Sequence, residues 1–362
     1  MSRILKGETT CMNKPAIFES YPELETKLPW ISLGDFPTPV HMLKNIGDGR
    51  LWIKNDDKSS TEYGGNKVRK LEFVLADAIK KGCNRVITMG GIGTNHGLAT
   101  AVFAKRLGLK CTLLLFNQPI NEYVKRNMLL FHKYEAEMIY AKSIFRSIIE
   151  LFVLQHLRYR KAYPLFAGGS SPVGTLGFVN AAFELKKQVE EGLLPEPDII
   201  VCPLGSSGTM AGLSLGVQLA GIKSSVIGIR VTESHLGPFQ ASTKGTVTTL
   251  MKQTLRLMNK DLTIDQSRYE VSQSYFGEGY GYPTQEGMSA ISLMKERENI
   301  RLEPTYTGKT FAAVLDMLIS EQYAGKSILY WHTYNSADLT VRAASVDYKS
   351  LPQPFPGFFI NK

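Results

Sequence analysis

The sequence predicts an α/β protein of two lobes built around buried, mainly parallel sheet, and three observations predict it. At 362 residues the chain is longer than one core of ordinary size needs. From Arg85 onward, short apolar runs alternate with amphipathic stretches of helix length, the pattern of βαβ units whose strands are covered on both faces. Glycine-rich segments stand where several of those runs pass into helices, the position at which open α/β sheets bind ligands.

Taken in order, the first 50 residues carry Pro29, Pro37 and Pro39 and read as an extended lead-in, with residues 1–11 dispensable and Met12 an alternative start. A helix is expected over LEFVLADAIKK, just after Lys70. Strands are expected at RVITMG, KCTLLLF, AEMIYA and AYPLFA, then at DIIVCPL, SVIGIRV and SILYWHT. Between them, NHGLATAVFAKRLG, NEYVKRNMLLFHKY, GTLGFVNAAFELKKQVEEG and GTMAGLSLGVQLAG repeat apolar residues at helical spacing, as does TFAAVLDMLI. Residues 232–282 are less regular, with Thr243, Thr246, Thr248 and Thr249 close together and a Gly-Tyr-rich turn, FGEGYGY.

Composition excludes several classes. Hydrophobic content of 43% and charged content of 21% are those of a globular chain rather than a disordered one. No apolar run reaches the roughly 18 residues of a membrane span, the best candidate near Ser147–Leu157 being flanked by Arg146 and Arg158. Without an apolar signal core at its start the chain reads as cytoplasmic. Its net charge of +9 is spread out, apart from Arg158-Tyr159-Arg160-Lys161. No basic stripe or motif for nucleic acid accompanies it, and anionic small molecules suit such a balance equally well. The four cysteines form no CxxC pair and the six histidines no HExxH pair, so no metal site is expected.

The loops carry the chemistry. In Tyr63-Gly64-Gly65-Asn66-Lys67 a glycine pair ends a loop and puts Lys67 at a helix start, where the dipole favours a neutral, nucleophilic amine able to take a carbonyl as a Schiff base. After DIIVCPL, Gly205-Ser206-Ser207-Gly208-Thr209 offers backbone N–H groups, hydroxyls and a helix N-terminus to a phosphate. It lacks the lysine of a nucleoside-triphosphate loop. Gly90-Gly91-Ile92-Gly93-Thr94-Asn95-His96-Gly97 departs from the dinucleotide spacing, and no acidic residue follows the next strand. Thr94 and Asn95 fall instead at capping positions, where a carboxylate can be received. Gly168-Gly169-Ser170-Ser171-Pro172 is a further glycine loop, and Tyr280 stands between two glycines. Each of these alone is an ordinary turn.

Together and in this order, GGNKVRKLEFVLADA, GGIGTNHG, GGSSPVGTLGFVNAA, GSSGTMAGL, GEGYGYPTQEG and PTYTGK resemble the pyridoxal-phosphate enzymes of the 1-aminocyclopropane-1-carboxylate deaminase and D-cysteine desulfhydrase family, from about Leu33 to about Thr333. The resemblance implies two open twisted mainly parallel sheets with flanking helices, in the arrangement of fold type II. A small domain, 66–179, would be inserted into a large cofactor-binding domain, 1–65 plus 180–362, with the active site in the cleft and a homodimer as the usual assembly. It implies pyridoxal 5′-phosphate bound to Lys67, its phosphate on Gly205, Ser206, Ser207, Gly208 and Thr209 with Lys70 adding charge, and Asn95 on its phenolic oxygen. Thr94, Asn95 and His96 would receive the carboxylate of a small amino-acid substrate. Tyr280 and Tyr306 would serve in acid–base or positioning roles.

The deaminase branch carries a glutamate after the tyrosine, beside the cofactor's ring nitrogen, where this chain has Thr307. A neutral hydroxyl makes a weaker electron sink, enough when a good leaving group departs from Cβ. The resemblance therefore favours β-elimination, as from D-cysteine to pyruvate, ammonia and sulfide. The deaminase and a sulfo-amino-acid lyase are alternatives, and a protein that binds the cofactor or an amino acid without turnover is a further one. The chain departs from the family at Thr94, at Gly97-Leu98, at Glu278 and above all at Tyr334-Asn335, where His-Thr is usually followed by Gly-Gly.

Overall fold

A computed structural model describes residues 14–236 and 239–360; the dispensable segment 1–11, with Met12 and Cys11, lies outside the described residues. The strands are β1 (Val40–Met42), β2 (Leu51–Asn55), β3 (Arg85–Gly91), β4 (Lys110–Phe116), β5 (Glu137–Lys142), β6 (Ala162–Leu165), β7 (Ile199–Leu204) and β8 (Ser225–Arg230), then a short hairpin of β9 (His235–Leu236) and β10 (Phe239–Gln240), then β11 (Tyr269–Ser272) and β12 (Ile328–His332). They form a six-stranded sheet in the order β1-β2-β12-β7-β8-β11 and a four-stranded sheet in the order β5-β4-β3-β6. Every pairing in the two larger sheets is parallel except β1 with β2. All seven strands expected from apolar runs form.

The principal helices are α1 (Ala16–Ser20), α2 (Lys67–Lys80), α3 (Asn95–Arg106), α4 (Glu122–Lys133), α5 (Ile144–Val153), α6 (Pro172–Glu190), α7 (Gly208–Leu219), α8 (Lys244–Met258), α9 (Gln285–Glu298) and α10 (Thr307–Ile319). One core joins α6, α7 and α8 to the large sheet through Phe178, Leu213, Met251 and Trp331. A second, with Phe311 and Met294, covers the other face of that sheet. A third joins α2, α3 and α4 to the small sheet through Leu71, Val102 and Phe131.

Three features depart from the sequence reading. The lead-in is not merely extended, since α1 and β1 form within it. Just after it, the unexpected β2 inserts between β1 and β12 of the large sheet, and its Lys54 is buried, donating to Glu184 at 2.5 Å and to Gln188 at 2.8 Å. A lysine inside a five-residue strand hides the apolar pattern. Residues from Leu339 to Phe355 pack into the core of the small sheet, although the expected boundary put all of 180–362 with the large one. Helix α6 begins at Pro172 and lends Leu176, Phe178 and Val179 to the large core, ahead of the boundary at 179.

Helix α2 runs between the two lobes. It begins at Lys67 because the preceding turn is closed by glycines: Gly65 has φ +94°, and a Cβ on Gly64 would lie 2.0 Å from the Asp57 carbonyl oxygen. Most of its residues are buried, including Arg69, Lys70 and Glu72, so its charged side chains must find partners inside the protein.

Candidate active site

One pocket lies where the carboxyl ends of β3, β7 and β12 face the starts of α2, α3, α7 and α10, as open α/β sheets lead one to expect. It brings together all of Lys67, Lys70, Thr94, Asn95, His96, Gly205, Ser206, Ser207, Thr209, Tyr280, Tyr306 and Thr307. Gly208, the first residue of α7, adjoins it.

Lys67 Nζ donates to the Asn66 side-chain oxygen at 2.9 Å, and Asn66 in turn donates to Thr209 Oγ1 at 3.1 Å. Burial lowers the Lys67 amine to about 8, against the opposing charge of Glu303. Burial thus adds to the helix start as a physical cause of a partly neutral amine here. The loop before it is tied on every side. Gly65 N donates to the Asp56 carbonyl, Asn66 N to the Thr333 carbonyl and Gly64 N to Asn335 Oδ1 at 2.8 Å.

The cradle expected for a phosphate is assembled from two glycine loops. Ser170 Oγ donates to Ser206 Oγ at 2.8 Å and accepts from Gly208 N at 3.0 Å. Lys70 Nζ donates to the Gly168 carbonyl at 3.0 Å, and a Cβ on Gly208 would lie 3.0 Å from the same Nζ. The contribution of Ser170 was not read from the sequence, although its loop was noted. Ser207 differs from expectation: its hydroxyl is taken up by the Ala241 carbonyl and Thr246 Oγ1, each at 2.9 Å, so only its backbone is free to serve an anion. Its φ of +67° gives the turn its left-handed step.

Thr94 caps α3 by accepting from Gly97 N at 3.2 Å, leaving the Asn95 and His96 N–H groups at the open end of the helix. Asn127 on α4 donates to Asn95 Oδ1 at 3.1 Å, which orients the Asn95 amide with its N–H₂ free. No local sequence signal marks Asn127. His96 Nε2 pairs with Thr88 Oγ1 at 3.1 Å, while Nδ1 is buried without a partner. Burial, reinforced by the charges of Lys67 and Lys70, puts the His96 ring well below the usual histidine range, so it is neutral.

Tyr306 donates to the Tyr280 hydroxyl at 2.9 Å, the rings meeting edge to face. The Thr307 hydroxyl is not alone. It accepts from Glu303 N at 2.8 Å and lies 3.2 Å from Glu303 Oε1. That carboxylate also accepts from the N–H groups of Thr305, Tyr306 and Thr307 at 2.8 to 2.9 Å, closing the start of α10. Glu303 is buried and lines the pocket. Burial raises its carboxyl although the three backbone donors oppose the shift.

The unusual Tyr334-Asn335 pair separates into two tasks. Asn335 holds the Gly64 loop and accepts from Ala337 N at 3.0 Å. Tyr334 is buried and forms pocket wall.

These residues fit pyridoxal phosphate. Among the described residues Lys70 is a buried amine without a carboxylate partner, pushed well below the ordinary lysine range by burial and by Lys67. It sits against a helix N-terminus where an added Cβ would crowd it, and a phosphate there supplies the missing charge. Lys67, the lysine whose amine burial holds near neutrality, faces the same pocket. Among the described residues no group of three or more His, Cys, Asp or Glu could hold a metal, and no helix is long and apolar enough to cross a membrane.

Residues 31–333 match the family described as pyridoxal-phosphate dependent enzyme. A D-cysteine desulfhydrase of Klebsiella pneumoniae is 33% identical over 320 residues, which is 85% of this chain and 94% of that protein. A putative 1-aminocyclopropane-1-carboxylate deaminase of Thermotoga maritima is 32% identical over 311 residues, 84% of this chain and 95% of its own. A protein of the same description from Pyrococcus horikoshii reaches 36% over 318 residues, 86% and 93% of the two chains. The crystal structure of an ACC deaminase homologue superposes with a TM-score of 0.76 at 32% identity, covering 92% of this chain and 99% of that one.

Proposed function

The chain belongs to the pyridoxal-phosphate dependent enzyme family, and from that premise we propose a lyase that expels a leaving group from Cβ of a small amino acid. D-cysteine is the reference substrate, D-cysteine and water giving pyruvate, ammonia and sulfide. The carrying observation is Lys67, a half-buried lysine whose amine is held near 8 and which, among the described residues, has an amide as its hydrogen-bond partner, in the pocket that Lys70 lines and the Ser170–Gly208 cradle adjoins.

When bound, pyridoxal phosphate supplies an electron sink for the pair left by the substrate's Cα proton. Lys67 would hold the cofactor. Lys70, Ser206, Gly205, Gly208 and Thr209 would hold its phosphate, with Ser207 contributing backbone only. Asn95, oriented by Asn127, presents its N–H₂ to the pocket. The Asn95 and His96 N–H groups, with the Thr94 cap, receive the substrate carboxylate. Lys67 Nζ is the base assigned to the Cα proton, since a pKa near working pH suits both taking and returning it. Because Tyr306 donates to Tyr280, the Tyr280 proton is left to face the pocket, which makes Tyr280 the acid for the departing group and Tyr306 its support. Thr307 is assigned to the cofactor's ring nitrogen on the resemblance, so Thr307→Glu is expected to shift the cofactor's absorbance. The reading extends to a homodimer, to a cytoplasmic location and to a cleft-sited catalytic centre.

The test is absorbance of purified protein followed by product assay with D-cysteine. A visible band from lysine-bound cofactor with pyruvate release supports the lyase. A band without product from any amino acid favours a non-catalytic binder, and no band after reconstitution overturns the assignment.

A further inference from the structure

A cationic cluster adjoins the Tyr334 wall of the pocket. Arg126 Nη2 lies 3.5 Å from the Tyr334 hydroxyl, and Arg126 Nε is buried without a hydrogen-bond partner. The Arg126 guanidinium stacks on the Tyr123 ring at 5.3 Å, and the Arg301 guanidinium stacks on the same ring at 5.5 Å while donating to the Tyr123 hydroxyl at 3.4 Å. Among the described residues neither arginine has a carboxylate at ion-pair distance. Asp338, whose carboxyl the two charges help to lower, stays exposed.

Two guanidiniums gathered on one aromatic ring repel each other, and a buried N–H without an acceptor adds a desolvation cost. The repulsion is relieved by an anion placed near both charges. Tyr334 is the residue of this cluster that lines the pocket. With a guanidinium beside its oxygen, its proton is free to donate elsewhere. Tyr63, bonded through its hydroxyl to the Asn95 carbonyl at 3.2 Å, lines the same pocket and feels Tyr334 and Arg126 electrostatically. Polar groups therefore run from Asn95, the α-carboxylate end of the site, through Tyr63 to Tyr334.

We propose, resting on the lyase reading above, that the preferred substrate is an amino acid whose side chain carries a second anionic group. Tyr334 is its specificity-determining residue: the hydroxyl donates to that group, and Arg126 and Arg301 supply the positive field. The tyrosine thus selects a substrate rather than blocking the pocket. A ligand with a neutral side chain leaves that positive field without an opposing charge.

The experiment is a spectral titration of the cofactor-loaded protein with both enantiomers of cysteate, aspartate and alanine, repeated in Arg126→Gln and in the exposed-site variant Arg301→Gln. One of the doubly anionic ligands is expected to bind at least about tenfold more tightly than alanine, the scale of one charge-assisted hydrogen bond. Cysteate against aspartate tells sulfonate from carboxylate. The affinity ratio to alanine should fall about tenfold in Arg126→Gln and about two- to threefold in Arg301→Gln, as for a partly screened charge. Equal binding of anionic and neutral ligands, or a ratio unchanged in both variants, overturns the proposal while the cofactor band keeps the lyase reading alive. No cofactor band overturns both.

Discussion

Helix α2 carries three basic side chains within about one turn, Arg69 and Lys70 buried and Lys67 half-buried, and they live in opposite circumstances. Arg69 is saturated: it donates to both Asp56 oxygens at 2.7 to 3.0 Å, to both Glu184 oxygens at 2.8 to 2.9 Å and to Thr38 Oγ1 at 2.9 Å, with the Phe36 ring 4.3 Å from its guanidinium carbon. Lys67 has the Asn66 amide, and Lys70 has the Gly168 carbonyl. A charge whose partners are all inside the protein fixes the fold. A buried charge without a counter-ion invites one from outside. The anchor and the site are thus adjacent: Asp56 and Glu184, the latter also held by Lys54, clamp the arginine that stands between the two lysines.

The largest effect expected from breaking this contrast is at its open end. Lys67→Ala removes the amine that attaches the cofactor and takes the Cα proton. Turnover should fall by about a thousandfold or more, with loss of the visible absorbance of lysine-bound cofactor. A Lys67→Ala protein that keeps that absorbance would mean another lysine holds the cofactor.

Breaking the closed end should cost stability instead. Arg69→Met leaves Asp56 buried without its cation and Glu184 with Lys54 alone, a loss of about 3–5 kcal/mol in denaturant unfolding. Burial alone would raise the Glu184 carboxyl, but Arg69 and Lys54 hold it down to about 2, against 4.5 unperturbed. A depressed carboxyl contributes stability that is present above its unfolded value and lost as pH falls toward the folded one. Acid unfolding of the native protein between about 4.5 and 2 should therefore be steeper than that of Glu184→Gln, which cannot titrate there. Parallel acid limbs would show that Glu184 is not linked to folding in this range.

This contrast was half legible in the sequence. Lys67 announced itself through the glycines before it and the helix after it, and the strand-to-helix glycine loops marked the cradle, because both signals are local. The anchor was not legible, since Asp56, Arg69 and Glu184 are spread over more than a hundred residues and each looks like an ordinary surface charge. Lys54 concealed strand β2 for the same reason. Asn127 and Ser170 were missed because their task is to orient a neighbour brought close only by the fold. Tyr334-Asn335 read as a defect in a motif, whereas Asn335 is a tie for the Gly64 loop. Thr307 was read as a lone neutral group, and the carboxylate behind it came from four residues earlier along the chain, where it closes the start of α10.

Lys70 tests the contrast at intermediate strength. Lys70→Met relieves a buried, repelled cation and removes one charge from the cradle. Fold stability without cofactor should hold or rise, while affinity for pyridoxal phosphate falls about ten- to a hundredfold, the range of one charged hydrogen bond. A stability loss as large as that of Arg69→Met would place Lys70 with the anchor.

The smallest effect distinguishes the fields acting on Lys67. Burial pulls its amine down to about 8, and the Glu303 carboxylate pulls it back up. Attachment of a carbonyl needs the neutral amine, so the rate of cofactor capture by the apoprotein should rise with pH through a midpoint near 8 and level above it. Glu303→Gln keeps two of the three backbone contacts, since an amide oxygen in the place of Oε1 can still accept from Tyr306 N and Thr307 N, but removes the charge. The midpoint should then move to lower pH, with the fold intact by far-UV circular dichroism. A midpoint that stays put would mean that the α10 N-terminus already cancels the carboxylate, and that burial alone tunes the lysine.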